Sequence, residues 1–279
     1  MNVLSLFDGI SCGRVALNRA GFSNFTYYAS EIEHNAITVG STNYPDTIQL
    51  GDVSKINGKD LPPITLLMGG SPCQGFSSIG KNLDFFDPRS MLFFEFVRLL
   101  NECKPKYFLL ENVKMAEHNI HTITSYLKVK PIYINSSLVS AQNRRRLYWT
   151  NIPMKSLPED KGITLDDVID HSFSDYRVPK NWWLRVPDHL PLYVDPYNKK
   201  EIAVKSTSLR TNVNNGNMWV RVNTDEGYAY RNLTRYECEE LQNVPRGYTQ
   251  SISENMAKKC LGNGWTVDAI VHILKHMEV

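Results

Sequence analysis

The chain holds 279 residues, 42% of them hydrophobic and 22% charged, with a formal net charge of +2. This is the balance of an ordinary globular protein, one large domain or a domain with a smaller appendage, and the bulk charge neither demands nor excludes a nucleic-acid partner. No apolar run approaches the roughly eighteen residues of a membrane span, the N-terminus lacks a basic and apolar leader, and five widely spaced cysteines without a CxxC pair fit a reducing compartment rather than a disulfide framework or a zinc site.

Val3-Leu4-Ser5-Leu6 reads as a short strand that runs into Phe7-Asp8-Gly9-Ile10-Ser11-Cys12-Gly13 and then into a helix carrying Val15, Ala16, Leu17 and Ala20. Strand, glycine-bearing turn and helix open a nucleotide-binding βαβ unit, although the turn does not fit GxGxxG. A second strand, Tyr27-Tyr28-Ala29-Ser30, ends in Glu31, and a third, around Thr47 to Leu50, ends in Gly51-Asp52-Val53. An acidic residue about 20 positions after the turn is where ribose hydroxyls are held, and Asp52 can accept a hydrogen bond from an exocyclic amine. Three strand ends in register point to an adenosine-type ligand.

The apolar run Ile64-Thr65-Leu66-Leu67-Met68 predicts a buried strand that stops at Gly69-Gly70-Ser71-Pro72-Cys73-Gln74-Gly75. Glycines and a proline around Cys73 make poor surroundings for a buried side chain, so the thiol reads as functional, at the strand end where open α/β sheets place their chemistry. A polar loop through Pro88 has the length of a lid. Met91 to Cys103 reads as a helix with Leu92, Phe93, Phe96, Leu99 and Leu100 on its apolar face. Tyr107-Phe108-Leu109-Leu110 is the next buried strand and ends in Glu111-Asn112. A carboxylate there is costly unless partnered or used, and two adjacent strands thus bring a nucleophile and an acid to one edge of the sheet.

His118 and His121 have no ligand partners nearby in sequence and read as surface residues. Residues 131 to 152 read as a hairpin at the sheet edge, with Gln142-Asn143-Arg144-Arg145-Arg146 between its halves. Arg144 and Arg146, two apart, are expected to project from one side of a strand and to bind a phosphate or a polarised carbonyl.

Phe7-x-Gly9, Ser71-Pro72-Cys73-Gln74, Glu111-Asn112-Val113, Gln142-x-Arg144-x-Arg146 and Gly262-Asn263-Gly264 follow one another in this order along most of the chain. In that order they resemble the motif series of the DNA (cytosine-5)-methyltransferases. Phe7-Asp8-Gly9-Ile10, Ala29-Ser30-Glu31, Gly51-Asp52-Val53, Leu92-Phe93-Phe94-Glu95-Phe96 and Gly264-Trp265 lean toward the Dnmt3-like branch. Gln74 and the Gln142/Arg144/Arg146 pattern instead resemble bacterial and phage enzymes, as does the compact size. Ser11-Cys12 stands where many bacterial members have glycines.

The resemblance implies an α/β fold: a Rossmann-like S-adenosylmethionine-dependent methyltransferase sheet with helices on both faces, plus a small irregular target recognition domain. It implies a catalytic and cofactor domain over residues 1–155, target recognition over 156–230 and a return to the catalytic domain over 231–279. Cys73 is then the nucleophile that adds to C6 of cytosine, Glu111 holds N3, and Arg144 and Arg146 orient the ring. S-adenosyl-L-methionine is expected against Phe7, Asp8, Gly9, Ile10, Glu31, Ile32, Asp52, Val53, Pro72, Asn263 and Trp265. The implied partner is double-stranded DNA, in the cytoplasm of a prokaryotic or phage-infected cell, with no metal and no membrane and with a cognate restriction endonuclease as a further candidate. A tRNA cytosine methyltransferase and a catalytically silent DNA-binding regulator share the motif set.

Residues 156 to 230 break the α/β rhythm with five prolines and the pair Trp182-Trp183. Lys199, Lys200, Lys205, Arg210 and Arg221 face only Glu201 in charge, and Asn212, Asn214, Asn215 and Asn217 lie among them. Arginine and asparagine read base edges while lysine contacts phosphate, so Arg210, Asn212 and Asn214 are expected DNA contacts, and Gln74 and Ser77 beside Cys73 are expected with them. Thr234-x-x-Glu237 forms a capping box before a helix, and Leu241-Gln242-x-x-Pro245 follows. Ser253 to Leu261 reads as a further helix stopped by Gly262. Val267, Ile270, Val271 and Leu274 make the last helix amphipathic, folding it back onto the N-terminal domain.

Overall fold

The structure, a computed structural model, describes residues 1–71, 88–173, 191–196, 200–211, 217–224 and 227–278. Pro72, Cys73, Gln74, Ser77, Trp182, Trp183, Asn212 and Asn214 therefore lie outside the described residues.

The first strands, β1 (Asn2–Leu6), β2 (Thr26–Ser30), β3 (Ile48–Gln49), β4 (Leu66–Gly69) and β5 (Tyr107–Val113), are parallel in the order β3-β2-β1-β4-β5. The sheet continues through two antiparallel pairings, β5 with β8 (Arg145–Thr150) and β8 with the edge strand β6 (Ile132–Asn135). The expected edge hairpin is thus present, its second strand lying between β5 and β6. A strand covered on both faces becomes a continuous apolar run, and β1, β4 and β5 are buried along almost their whole length. The flanking helices are α1 (Cys12–Arg19), α2 (His34–Asn43), α3 (Pro88–Cys103), α4 (Glu117–Leu127) and, at the end of the chain, α7 (Val267–Leu274). Phe93, Phe96 and Leu99 of α3 and Ile120 and Ile123 of α4 enter one core with Leu4, Leu67, Leu110 and Trp149. His118 and His121 are exposed on α4, as expected. The C-terminal helix does return to the N-terminal segment: α7 packs on α1, and Arg19 reaches Asp268 at 3.0 Å.

Where an irregular region was expected, β9 (Tyr193–Asp195), β10 (Lys200–Glu201), β12 (Trp219–Thr224) and β13 (Gly227–Asn232) form an antiparallel sheet in the order β10-β9-β12-β13. Val194, Trp219 and Tyr230 make its small core. The short strands β7 (Gln142–Asn143) and β11 (Ser206–Thr207) pair in parallel nearby in the chain's second unit. Helices α5 (Arg235–Leu241) and α6 (Glu254–Asn263) belong to that unit too. Thr234 and Glu237 cap α5 reciprocally, as the capping box predicts.

Two compact units result. One comprises Met1–Asn135, Arg145–Pro158 and Val267–Val279, the other Ser136–Arg144 and Glu159–Thr266. Residues 231–266, expected with the catalytic domain, thus cluster with the second unit. None of the described helices is long and apolar enough to cross a membrane.

Candidate active site

At the carboxyl end of β1 the chain makes a compound turn in which Phe7, Gly9 and Ser11 all take positive φ, 55°, 58° and 60°. Left-handed backbone costs a non-glycine residue roughly 1 kcal/mol or more, so something must hold it. The Asp8 amide donates to Ser30 O (3.1 Å) and the Gly9 amide to Glu31 Oε2 (2.8 Å). Tyr27 OH and Ser11 Oγ both donate to the Asp8 carboxylate at 2.6 Å. Burial pushes the Asp8 carboxyl above its ordinary range, and the hydrogen bonds from Ser11, Ser5 and Tyr27 oppose that shift. Asp8, expected among the cofactor residues, therefore has both carboxylate oxygens engaged by side chains of the protein itself. Ile10 is likewise buried, at 1% exposure.

Glu31 Oε1 accepts from the amides of Ile32 (2.8 Å) and Glu33 (2.9 Å), which fixes the end of β2. Ile32 is 75% exposed, the most exposed of the large apolar side chains described. Ser30 Oγ donates to Gly51 O (2.7 Å), tying the end of β2 to the end of β3. The Asp52 carboxylate accepts from the Ser54 amide (3.0 Å) and hydroxyl (2.8 Å), and these hydrogen bonds hold its carboxyl below the usual range. Val53, expected beside a ring with Ile32, is instead buried in the core. Two carboxylates and an exposed apolar side chain at neighbouring strand ends, beside an open position at Gly9, suit the hydroxyls, amine and ring face of an adenosyl group. These residues fit the cofactor that the motif series implies.

The ends of β4 and β5 lie side by side, with Gly69 opposite Leu110. A Cβ on Gly69 would stand 2.9 Å from Leu6 O, so close strand packing demands glycine here. Asn112 Nδ2 donates to Ser71 Oγ (3.1 Å) and Ser71 O (3.2 Å), fixing the base of the segment that carries Cys73 two positions later. Glu111 lies inside β5, paired with Tyr148 of β8, rather than beyond the strand end. It is 8% exposed, and Arg146 Nε stands 2.9 Å from its Oε1. A buried carboxylate without a partner would cost several kcal/mol, and Arg146 is that partner. The Cys103 and Cys238 thiols are pushed up by burial, Cys238 to about 12, and Cys12 and Cys260 are buried. Neither environment favours a thiolate.

Arg144 and Arg146 do not share a strand face. The pairing breaks between β7 and β8, and Arg144 is 3% exposed. Its guanidinium donates to the carbonyls of Leu209 (3.2 Å), Gly262 (3.0 Å) and Gly264 (2.9 Å). Gln142 Nε2 donates to Leu241 O (3.0 Å), while its Oε1 accepts from the Leu209 amide (2.9 Å). Gln242 Nε2 donates to Leu261 O (2.6 Å) and Gly264 O (3.2 Å). The last carbonyls of a helix have no partner within it, and these three polar side chains supply donors at the ends of α5 and α6. That requirement was the available signal for the role of Arg144.

Asn263 is exposed and Trp265 half-buried at the end of α6, in the second unit. Arg210 is the one expected DNA contact among the described residues; its Nη2 lies 3.6 Å from Asp195 Oδ2, and its amide donates to Asn217 Oδ1 (2.8 Å).

The sequence matches the family model for C-5 cytosine-specific DNA methylase over residues 1–156 and 166–278. It is 29% identical to the type II methyltransferase M1.ScrFI of Lactococcus lactis subsp. cremoris, covering 99% of this chain and 77% of that protein. It is 37% identical to the orphan methyltransferase M.SPRI of Bacillus phage SPR, covering 53% of this chain and 37% of the phage protein's length. The fold is similar to that of the Entamoeba histolytica methyltransferase EhMeth, with a TM-score of 0.74 at 18% identity over 99% of this chain and 97% of that one.

Proposed function

The chain belongs to the C-5 cytosine-specific DNA methylase family, and from that membership we propose that it methylates C5 of a cytosine flipped out of duplex DNA, with S-adenosyl-L-methionine as donor. The observation that carries this reading is the 2.9 Å ion pair between Arg146 on β8 and Glu111 on β5, the strand next to the one that leads toward Cys73 in sequence. Cytosine C5 is too weak a nucleophile to take a methyl group unaided. In this reading the Cys73 thiolate bonds to C6 while a proton carried by Glu111 passes to N3 and neutralises the negative charge that develops in the ring. Arg146 orients the glutamate and the ring carbonyl. The cofactor supplies an electrophilic methyl group on a sulfonium. With the methyl on C5 and the demethylated thioether as leaving group, the C5 proton departs to solvent, the N3 proton returns to Glu111, the C6–sulfur bond breaks and the Cys73 thiolate is restored.

The ring cannot be reached inside a duplex, so base flipping is required. Phe7 and Gly9 line the cofactor's methionine end, Glu31 holds the ribose and Asp52 the adenine amine, with Ile32 against the ring. Arg144 has a bracing role in this reading, because its donors already serve three carbonyls. Residues 156–230 carry target recognition, with Gln74, Ser77, Arg210, Asn212 and Asn214 toward the DNA. The Dnmt3-like segment Leu92–Phe96 places Phe93 and Phe96 in the core, so it reports packing rather than branch-specific chemistry. Bacterial and phage relatives support a cytoplasmic modification enzyme. The type II relative supports one paired with a cognate restriction endonuclease, and the orphan relative one working alone.

The test is expression, beside Cys73→Ala, in a bacterium lacking cytosine methylation, followed by bisulfite sequencing. Cytosines protected in one short context, and unprotected in the variant, are expected. Unprotected DNA from folded wild-type protein would overturn the reading and turn attention to RNA.

A further inference from the structure

One charged cluster in the first unit has no part in the chemistry above. Arg98, on α3, reaches 42 to 45 residues back along the chain: its Nη1 donates to Ile56 O (2.8 Å) and its Nη2 to Val53 O (3.1 Å). Two carboxylates on the same helix aim it. Nε and Nη2 donate to Glu95 Oε2 (2.9 and 2.6 Å), and Nη1 donates to both oxygens of Glu102 (3.1 and 2.9 Å). Glu102 Oε2 also accepts from the Gly58 amide (2.8 Å), so residues 53 to 58 are gripped at three points from one helix face. A guanidinium fork fixes geometry as well as distance.

From this geometry we propose that Arg98 is a positioning residue for the adenine end of the cofactor site, an inference that rests on the S-adenosylmethionine reading. Asp52 immediately precedes the gripped segment, and its carboxylate is aimed by Ser54 within it. The carbonyl of Val53, the residue that follows Asp52, is thus held from α3 next to the side chain assigned to the adenine amine. Docking α3 does not need this device, because Phe96 and Leu99 already pack with Val53 and Ile56 in the apolar core. What the fork adds is the orientation of the turn.

The test compares binding of S-adenosylhomocysteine with that of its inosine counterpart, whose ring carries oxygen in place of the 6-amino group. Calorimetric titration is run on wild type, Arg98→Met and Glu102→Gln, with a melting curve for each. Losing one well-placed hydrogen bond weakens binding about 10-fold, which is the preference expected of wild type. In Arg98→Met that preference is expected to shrink to about 2-fold or less, and Glu102→Gln, which keeps an acceptor for Gly58 but loosens Arg98, should fall between. An unchanged preference, with only the melting temperature lowered, would reduce Arg98 to a scaffold residue and overturn the inference. If Arg98→Met does not fold, Glu102→Gln decides in the same way. Wild type that binds neither nucleoside would remove the cofactor reading itself, and this inference with it.

Discussion

Glu111 and Arg146 act as one unit, because a carboxylate 8% exposed and a guanidinium 2.9 Å away each provide the other's charge partner. Glu111→Gln is expected to lower methyl transfer to DNA by about 100-fold or more. Arg146→Gln should approach that loss, and the double variant should be scarcely worse than the weaker single one, as for residues that act together. Transfer of a tritiated methyl group measures all three. Tyr27 offers a second test. Its hydroxyl bonds an Asp8 carboxyl already raised by burial, so Tyr27→Phe should destabilise by about 1 kcal/mol near neutral pH. With the folded-state value above the unfolded one, stability falls as pH rises from the unfolded value through the folded one. The variant raises the folded value further and steepens that fall, so its deficit should shrink in acid, which melting curves across pH would show.

Helix α6 runs through Gly262 to Asn263, although a glycine there reads as a stop. The glycine is required by space instead: a Cβ would lie 2.8 Å from both the carbonyl carbon and oxygen of Arg210. Gly262→Ala should therefore destabilise by about 1–3 kcal/mol through overpacking, although alanine is the better helix former by about 1 kcal/mol. Thermal melting decides between the two signs. The sequence shows an element best where its cause is local. The central strands β1, β4 and β5 are legible as apolar runs, α3 as a broad apolar stripe and the start of α5 as Thr234-x-x-Glu237. The β12–β13 pairing is equally present in Trp219-Val220-Arg221-Val222 and Tyr228-Ala229-Tyr230, with Asp225-Glu226 between them, although the prolines upstream and the asparagines around it are marks of irregular chain. Arg144 and Arg146 could not be told apart by spacing, because what separates them is a break in strand pairing and carbonyls about 65 to 120 residues away.

At the scale of the molecule, several of the described carboxylates are held below their ordinary range and favour the folded state near neutral pH. Arg14 does this for Asp46. At Glu102, burial opposes the shift, but the Gly58 amide and Arg98 outweigh it; at Glu254, burial is likewise outweighed by Lys258. Each such group stabilises above its unfolded value and loses that contribution as pH falls through the folded one. The melting temperature should therefore drop on acidification from about pH 6 to about pH 3, with a shallower acid limb in Glu102→Gln. A limb identical to wild type would show that the grip on residues 53 to 58 carries no net stability.

The chain passes from one compact unit to the other four times, after Asn135, Arg144, Pro158 and Thr266. Domains ordinarily condense in the order in which a ribosome delivers them, but this route forbids that order. The second unit waits for Thr266, and the first, though begun at residue 1, still lacks the helix that covers α1. The turn at Phe7 to Ser11 and the helix α1 that follows it are thus made early but packed late, against α7.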